Sequence, residues 1–112
     1  MRLFLRVFAN CENAEVAVGI AERLALALSG LSPQQRSSPR AYWKLPHLFE
    51  FTYNLFPAAE ASFHEVVSLS SGEWHHSSCA TERSSVWNRS CDRVFLISEV
   101  SWAELQLFEA RP

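Results

Sequence analysis

The residues best suited to chemistry lie in one short run, His75-His76-Ser77-Ser78-Cys79, with His64 and Cys91 elsewhere in the chain. Imidazole nitrogen and thiolate sulfur are preferred zinc ligands, and structural zinc sites usually pair such ligands at both ends of a loop. Only one half of that pattern is present, because neighbouring histidines point in different directions and one of them at most can join Cys79. The run therefore predicts a solvated polar loop, and we expect no metal and no other cofactor.

A nucleophilic site would combine Cys79 or Cys91 with one of the four histidines. Such a site needs a base within hydrogen-bonding reach and an oxyanion stabiliser, usually from a glycine-rich turn or a helix start. Gly19, Gly30 and Gly72 are the only glycines in the chain and lie far from one another. The same distribution provides no phosphate-cradling loop. The sequence thus predicts a protein that is not an enzyme.

The composition is typical of a single folded domain over residues 1–112, with 48% hydrophobic and 20% charged residues. The net charge of −2 arises from charges spread along the chain, so we expect no binding to nucleic acid. No apolar run reaches the roughly 18 to 20 residues of a membrane span, so no membrane association is expected. The start of the chain does not resemble a signal peptide, and an odd number of cysteines suits a reducing compartment. These features predict a cytoplasmic protein whose cysteines are packing residues or free thiols.

The apolar pattern predicts an α+β protein. In chain order we expect a strand over 2–9, a helix over 14–28 ending near Gly30, a hairpin over 40–56, a helix over 58–69 after Pro57, a loop over 73–82, and strands over 83–88, 94–97 and 100–109. The last segment is ambiguous, because residues 101–104 also fit a capping box that would begin a helix. This order suggests a ferredoxin-like βαββαβ core with two helices on one face of an antiparallel sheet, and with an extra C-terminal strand.

The hairpin over 40–56 is the centre of this arrangement. Its second arm places Phe49, Phe51, Tyr53 and Leu55 at every second position, which is typical of a strand with one buried face. In the first arm, Tyr42 and Trp43 point to opposite faces, so this arm either covers both sides or leaves one ring exposed for a partner. Pro46 suits the turn between the arms, for which we expect a loop of about three to five residues.

Aromatic residues indicate binding to another molecule. The chain has four tryptophans, and tryptophan and tyrosine dominate the energetics of protein interfaces. Trp74 is the strongest candidate for an exposed anchor, because it lies in a polar segment beside Glu73 and His75. A second candidate is a mixed-charge patch on the open face of the sheet. Its expected members are Arg6, Arg40, Tyr42, Lys44, Glu50 and Thr52.

The segment Arg83-Ser-Ser-Val-Trp-Asn88, followed by Val100-Ser-Trp-Ala-Glu-Leu105, resembles small bacterial immunity proteins of contact-dependent growth inhibition and polymorphic toxin systems. This resemblance covers about a quarter of the chain. It implies a cytoplasmic single domain that binds a cognate toxin domain, often a nuclease, and occludes its active site or substrate groove. It transfers no individual contact residue.

Two other functions are compatible with the sequence. One is a ferredoxin-like regulatory or small-molecule-binding module that dimerises through its sheet. The other is a small metal-dependent or thiol enzyme that uses Cys79 or Cys91, for which the ligand and catalytic patterns are incomplete. A pocket at a subunit boundary would favour the first, and stoichiometric zinc the second.

Overall fold

The computed structural model describes residues 1–70, 74–79, 81–89 and 94–109, and it has an α+β fold. In chain order the elements are β1 Arg2–Asn10, α1 Ala14–Ala27, a 3-10 turn Ser29–Leu31, β2 Gln34–Gln35, β3 Arg40–Ala41, β4 Leu48–Leu55, α2 Glu60–Ser68, β5 Trp74–Ser78, β6 Glu82–Asn88 and β7 Val100–Phe108. None of the helices in these ranges is both long and apolar enough to cross a membrane.

All strands of the described residues belong to one antiparallel sheet with the order β2-β4-β1-β7-β6-β5, and β3 also pairs with β4. The central strand is β1, where Leu5 faces Tyr53 of β4 on one side and Leu105 of β7 on the other. The predicted ferredoxin-like βαββαβ order is not confirmed. The short strands β2 and β3 lie between α1 and β4, so α1 is followed by three strands where the predicted core has two. The helix α2 is likewise followed by three strands, β5, β6 and β7, where the predicted core and its extra strand have two.

The two helices differ in how they begin. The Asn13 side chain accepts a hydrogen bond of 2.9 Å from the Val16 backbone N–H, and Glu15 lies in the first turn of α1, where the helix dipole favours a negative charge. The helix α2 begins at Glu60, also acidic, after the extended residue Ala59. It therefore starts later than the predicted position next to Pro57.

The two helices pack on the same face of the sheet, as the sequence predicts. This inner face carries the alternating apolar residues of the three central strands, and the buried residues of α1 and α2 join them in one core cluster. The Tyr53 hydroxyl donates a hydrogen bond of 3.1 Å to the Ala21 carbonyl of α1. On α2, the ring of Phe63 packs beneath the Arg83 guanidinium of β6 at 4.9 Å. Each large side chain buried here contributes roughly 1.5 to 3 kcal/mol.

Two predicted segments are wrong. The expected loop over 73–82 contains the strand β5, because Trp74 faces Trp87 of β6 and packs edge-on against Phe95. The expected strand over 94–97 forms only isolated bridges, in which Phe95 pairs with Ser70 and with Ile97. The strand favoured for 100–109 is confirmed as β7. The first arm of the hairpin is confirmed only as the two residues of β3, so residues 42–47 form a longer connection than predicted.

Candidate partner-binding surface

The outer face of the sheet is the face opposite the two helices. The strand β1 contributes Phe4, Arg6 and Phe8 to this face, because their neighbours Leu3, Leu5, Val7 and Ala9 point into the core. The pairing places Glu50 and Trp102 on either side of Phe8, and Thr52 and Glu104 on either side of Arg6. The buried residues of both helices belong to the inner face, so neither helix covers this one.

Four rings form a continuous aromatic row on the outer face, in the order Trp43, Tyr42, Phe8, Trp102. The ring centroids are 6.2 Å apart for Trp43 and Tyr42, 4.8 Å for Tyr42 and Phe8, and 5.2 Å for Phe8 and Trp102. Trp43 is 79% exposed, whereas the other three rings are half-buried. The Tyr42 backbone N–H donates to the Leu48 carbonyl at 2.8 Å, which holds the row against the edge of β4.

A chain of ion pairs runs beside the aromatic row. The Glu50 carboxylate lies 3.5 Å from Arg6 Nε and 3.2 Å from Arg40 Nη2. The other end of Arg6 approaches the Glu104 carboxylate at 3.9 Å. In these pairs the arginines are partly exposed to solvent, whereas the glutamate side chains are mostly covered. The pairs fix the orientation of the side chains that a partner would meet.

Three arginines also line an open surface cavity of about 220 Å³, here named the arginine cavity. It is lined by Phe4, Arg6, Arg36, Ser37, Arg40, Glu50 and Thr52. Phe4 is buried at its base, with the Arg36 guanidinium 4.9 Å from its ring centroid. The backbone N–H of Arg36 donates to the Thr52 carbonyl at 3.0 Å, so the segment after β2 is held against β4.

The structure brings together most of the predicted mixed-charge patch. Arg6, Arg40, Glu50 and Thr52 line one cavity, and Tyr42 stacks beside it. Lys44 extends over Trp43, with its Nζ 5.1 Å from the ring centroid. Five of the six residues therefore lie together on the outer face, whereas Lys44 is shown only in contact with Trp43. The role of all six in binding stays a prediction.

The other predicted binding site, around Trp74, does not form an exposed surface. Trp74 is only 7% exposed and its indole N–H donates to Ser70 Oγ, so the expectation that it is an exposed anchor is wrong. His75 is exposed at the outermost strand, opposite Val86. Glu73 lies outside the described residues. A tryptophan in a polar segment was a misleading signal, because its burial depends on Trp87 and Phe95 far along the chain.

The two histidines and the cysteine of the run over 75–79 do not converge on one site. His76 turns to the side opposite His75, where its Nδ1 is hydrogen-bonded to the buried Ser85 hydroxyl. Cys79 is exposed, and hydrogen bonds from the Thr81 backbone and hydroxyl lower the pKa of its thiol. Cys91 lies outside the described residues. Within 1–70, 74–79, 81–89 and 94–109, no three His, Cys, Asp or Glu side chains group closely enough to hold a metal ion.

The sequence prediction missed Trp43, Phe8, Trp102 and Arg36 as members of the surface. The signal for Phe8 was present, since it alternates with the buried residues of β1. For Trp43, the sequence indicates only that either it or Tyr42 is exposed unless the first arm of the hairpin covers both sides. No sequence signal places Arg36 here, because it belongs to a polar connection that meets the sheet through backbone hydrogen bonds.

No protein-family model, no curated protein and no solved structure matches this chain. Its function is therefore inferred from the residues of the outer face and from the sequence resemblance described above.

Proposed function

We propose that this protein is a non-enzymatic binding protein of the bacterial cytoplasm that neutralises a cognate toxin domain, often a nuclease, by occluding its active site or substrate groove. The observation that carries the proposal is Trp43, which is 79% exposed at the end of an aromatic row on a sheet face that neither α1 nor α2 covers. Large exposed aromatic surfaces are uncommon on monomers and mark sites of association.

The aromatic row has the properties of an interface anchor. Phe8 stacks on Tyr42 and packs at a tilted angle against Trp102, so these three half-buried rings have little conformational freedom to lose when a partner docks. Trp43 adds a broad apolar surface with a polar N–H, a combination enriched at the centres of interfaces. The Lys44 ammonium above it gives the same position a positive charge.

The charged residues beside the row supply selectivity. Glu50 is surrounded by arginines, so the surface offers a fixed alternation of positive and negative groups. A partner with the opposite alternation is favoured, and one with like charges is penalised. Such a surface suits recognition of one cognate toxin.

The proposal predicts that the gene directly upstream encodes a large secreted toxin, and neutralisation is tested by co-expressing the protein with the C-terminal domain of that toxin. Wild-type protein should restore growth, and Trp43→Ala should weaken binding to the purified toxin domain by at least about tenfold, as expected for an interface hot spot. Leu26→Ala is the matched control, because Leu26 is 76% exposed but lies on α1. Failure of the wild-type protein to protect against that toxin contradicts the proposal.

The second candidate is a ferredoxin-like regulatory or small-molecule-binding module that dimerises through its sheet. The same uncovered outer face favours it, since a second copy would cover the aromatic row. Sedimentation of the isolated protein separates the two functions. A dimer at micromolar concentration that Trp43→Ala converts to monomer supports this candidate, whereas a wild-type monomer argues against it.

A further inference from the structure

We infer that the arginine cavity binds one carboxylate group, carried by an acidic side chain of the protein that docks on the aromatic row. The inference deepens the proposed function and rests on it for the source of the carboxylate. The cavity itself can be tested without any toxin.

The lining of the cavity has the chemistry of an oxyanion site. Arg6, Arg36 and Arg40 contribute guanidinium groups, whose planar fork of N–H donors matches a carboxylate. Ser37 Oγ and Thr52 Oγ1 share a hydrogen bond of 3.2 Å in the same lining, so one of the two hydroxyls remains as a donor for a ligand.

Arg36 is the residue whose donors remain available. Its guanidinium lies over the Phe4 ring, and within the described ranges no carboxylate is at ion-pairing distance from it. Stacking on Phe4 holds the guanidinium plane while leaving its N–H edge for a ligand. Arg6 and Arg40, by contrast, already share Glu50.

The charge balance favours a monoanion. Three arginines meet two carboxylates, Glu50 in the cavity and Glu104 beside Arg6, so the cluster carries one excess positive charge. One carboxylate neutralises that excess, whereas a phosphate dianion exceeds it. The volume of about 220 Å³ is below the roughly 300 Å³ of small-molecule pockets and fits the end of one side chain.

The aromatic row distinguishes a protein partner from single-stranded nucleic acid. Nucleic-acid platforms present rings on which successive bases stack. Here the faces of Phe8 and Tyr42 are turned towards each other at 4.8 Å, so they are already stacked. Trp43 is the largely exposed ring of the row, which suits one apolar contact beside one carboxylate.

The test is a titration of ¹⁵N-labelled protein with sodium acetate at constant ionic strength, followed through the arginine Nε–Hε resonances. Saturable shifts are expected for arginines of the cavity. Arg36→Gln should raise the apparent Kd for acetate by about tenfold or more, the loss of one charge-assisted hydrogen bond. Arg2→Gln is the matched control, since Arg2 is an exposed arginine on β1, the strand of Arg6, but does not line the cavity. It should leave the affinity unchanged.

Three results would overturn the inference. Shifts that rise linearly with acetate and are the same in Arg36→Gln would show that the cavity does not bind a carboxylate. Inorganic phosphate binding more than about tenfold tighter than acetate would assign the cavity to a dianion. Binding of an oligothymidylate that shifts the tryptophan resonances would assign the surface to nucleic acid. Saturable acetate binding combined with failed neutralisation would support carboxylate binding in the arginine cavity. It would reject only the claim that a toxin carries the carboxylate.

Discussion

The ring of Phe8 stacks on the ring of Tyr42, with centroids 4.8 Å apart and an angle of 26° between the planes. Phe8 belongs to β1, whereas Tyr42 directly follows β3, and both of these strands pair with β4. The two rings therefore meet across β4 on the outer face. Their contact depends on the pairing of three segments, so it reports whether the proposed binding surface is assembled.

We expect this contact to be measurable as a coupling between the two residues. Phe8→Ala should lower the free energy of unfolding by about 1 to 3 kcal/mol, because it removes a half-buried ring. In a double-mutant cycle with Tyr42→Ala, the coupling should be about 0.5 to 1.5 kcal/mol, as found for stacked aromatic pairs. Urea unfolding of the four proteins measures it.

Trp43→Ala is the control for the same experiment. Trp43 is 79% exposed, so its removal should change the free energy of unfolding by no more than about 0.5 kcal/mol. A large destabilisation by Trp43→Ala would mean that this ring stabilises the folded monomer and is not free to contact a partner. A coupling near zero between Phe8 and Tyr42 would mean that the row is not ordered in solution.

A second prediction compares two tryptophans of the core. Trp74 donates its indole N–H to Ser70, whereas the indole N–H of the fully buried Trp87 has no hydrogen-bond partner among the described residues. Replacement by phenylalanine removes a hydrogen bond at Trp74 and an unsatisfied donor at Trp87. We expect Trp74→Phe to cost about 1 kcal/mol more than Trp87→Phe in urea unfolding. The reverse order would show that the N–H of Trp87 is satisfied in solution.

The elements that could be predicted from sequence are those with a regular apolar pattern. The alternation in β1 and β4 and the helical spacing in α1 are local properties, since each element buries a face that its own residues define. The uncovered outer face followed from placing both helices on the inner face. The ambiguous segment 100–109 was also assigned correctly, because Ala103, Leu105 and Leu107 alternate as a strand requires.

The remaining features depend on contacts between distant residues. The strand β5 has a polar sequence and forms because Trp74 reaches Trp87 and Phe95 in the core. The arginine cavity needs Arg36, which has no periodic neighbours and is placed by a backbone hydrogen bond to Thr52. Pairing order is likewise a tertiary property, so the sequence of helices and strands did not determine which strand lies beside β1.

A third prediction concerns thiol reactivity. Hydrogen bonds from Thr81 lower the pKa of the exposed Cys79 thiol, and Cys11 is buried. Iodoacetamide should therefore modify Cys79 in the folded protein and Cys11 only after unfolding, as identified by peptide mass spectrometry. Thr81→Val should move the pH profile of Cys79 alkylation to higher pH, because one hydrogen bond to the thiolate is lost. Ser77→Ala, which removes a hydroxyl bonded to Ser84 in the same hairpin, should leave that profile in place.

The last prediction uses the buried hydroxyl of Tyr53. Burial raises the pKa of Tyr53 from 10.0 to about 12, and its hydroxyl donates to the Ala21 carbonyl of α1. Because the folded protein holds this proton more tightly than the unfolded chain, the contribution to stability is complete below about pH 10 and is lost as the pH rises towards about 12. Urea unfolding at several pH values in that window should show a steeper fall for the wild type than for Tyr53→Phe. The variant should also be less stable at neutral pH by about 1 kcal/mol, the value of one hydrogen bond. If the free energy of unfolding fell equally with pH in the two proteins, Tyr53 would ionise as easily in the folded state as in the unfolded one. Its hydroxyl would then not be buried between α1 and β4.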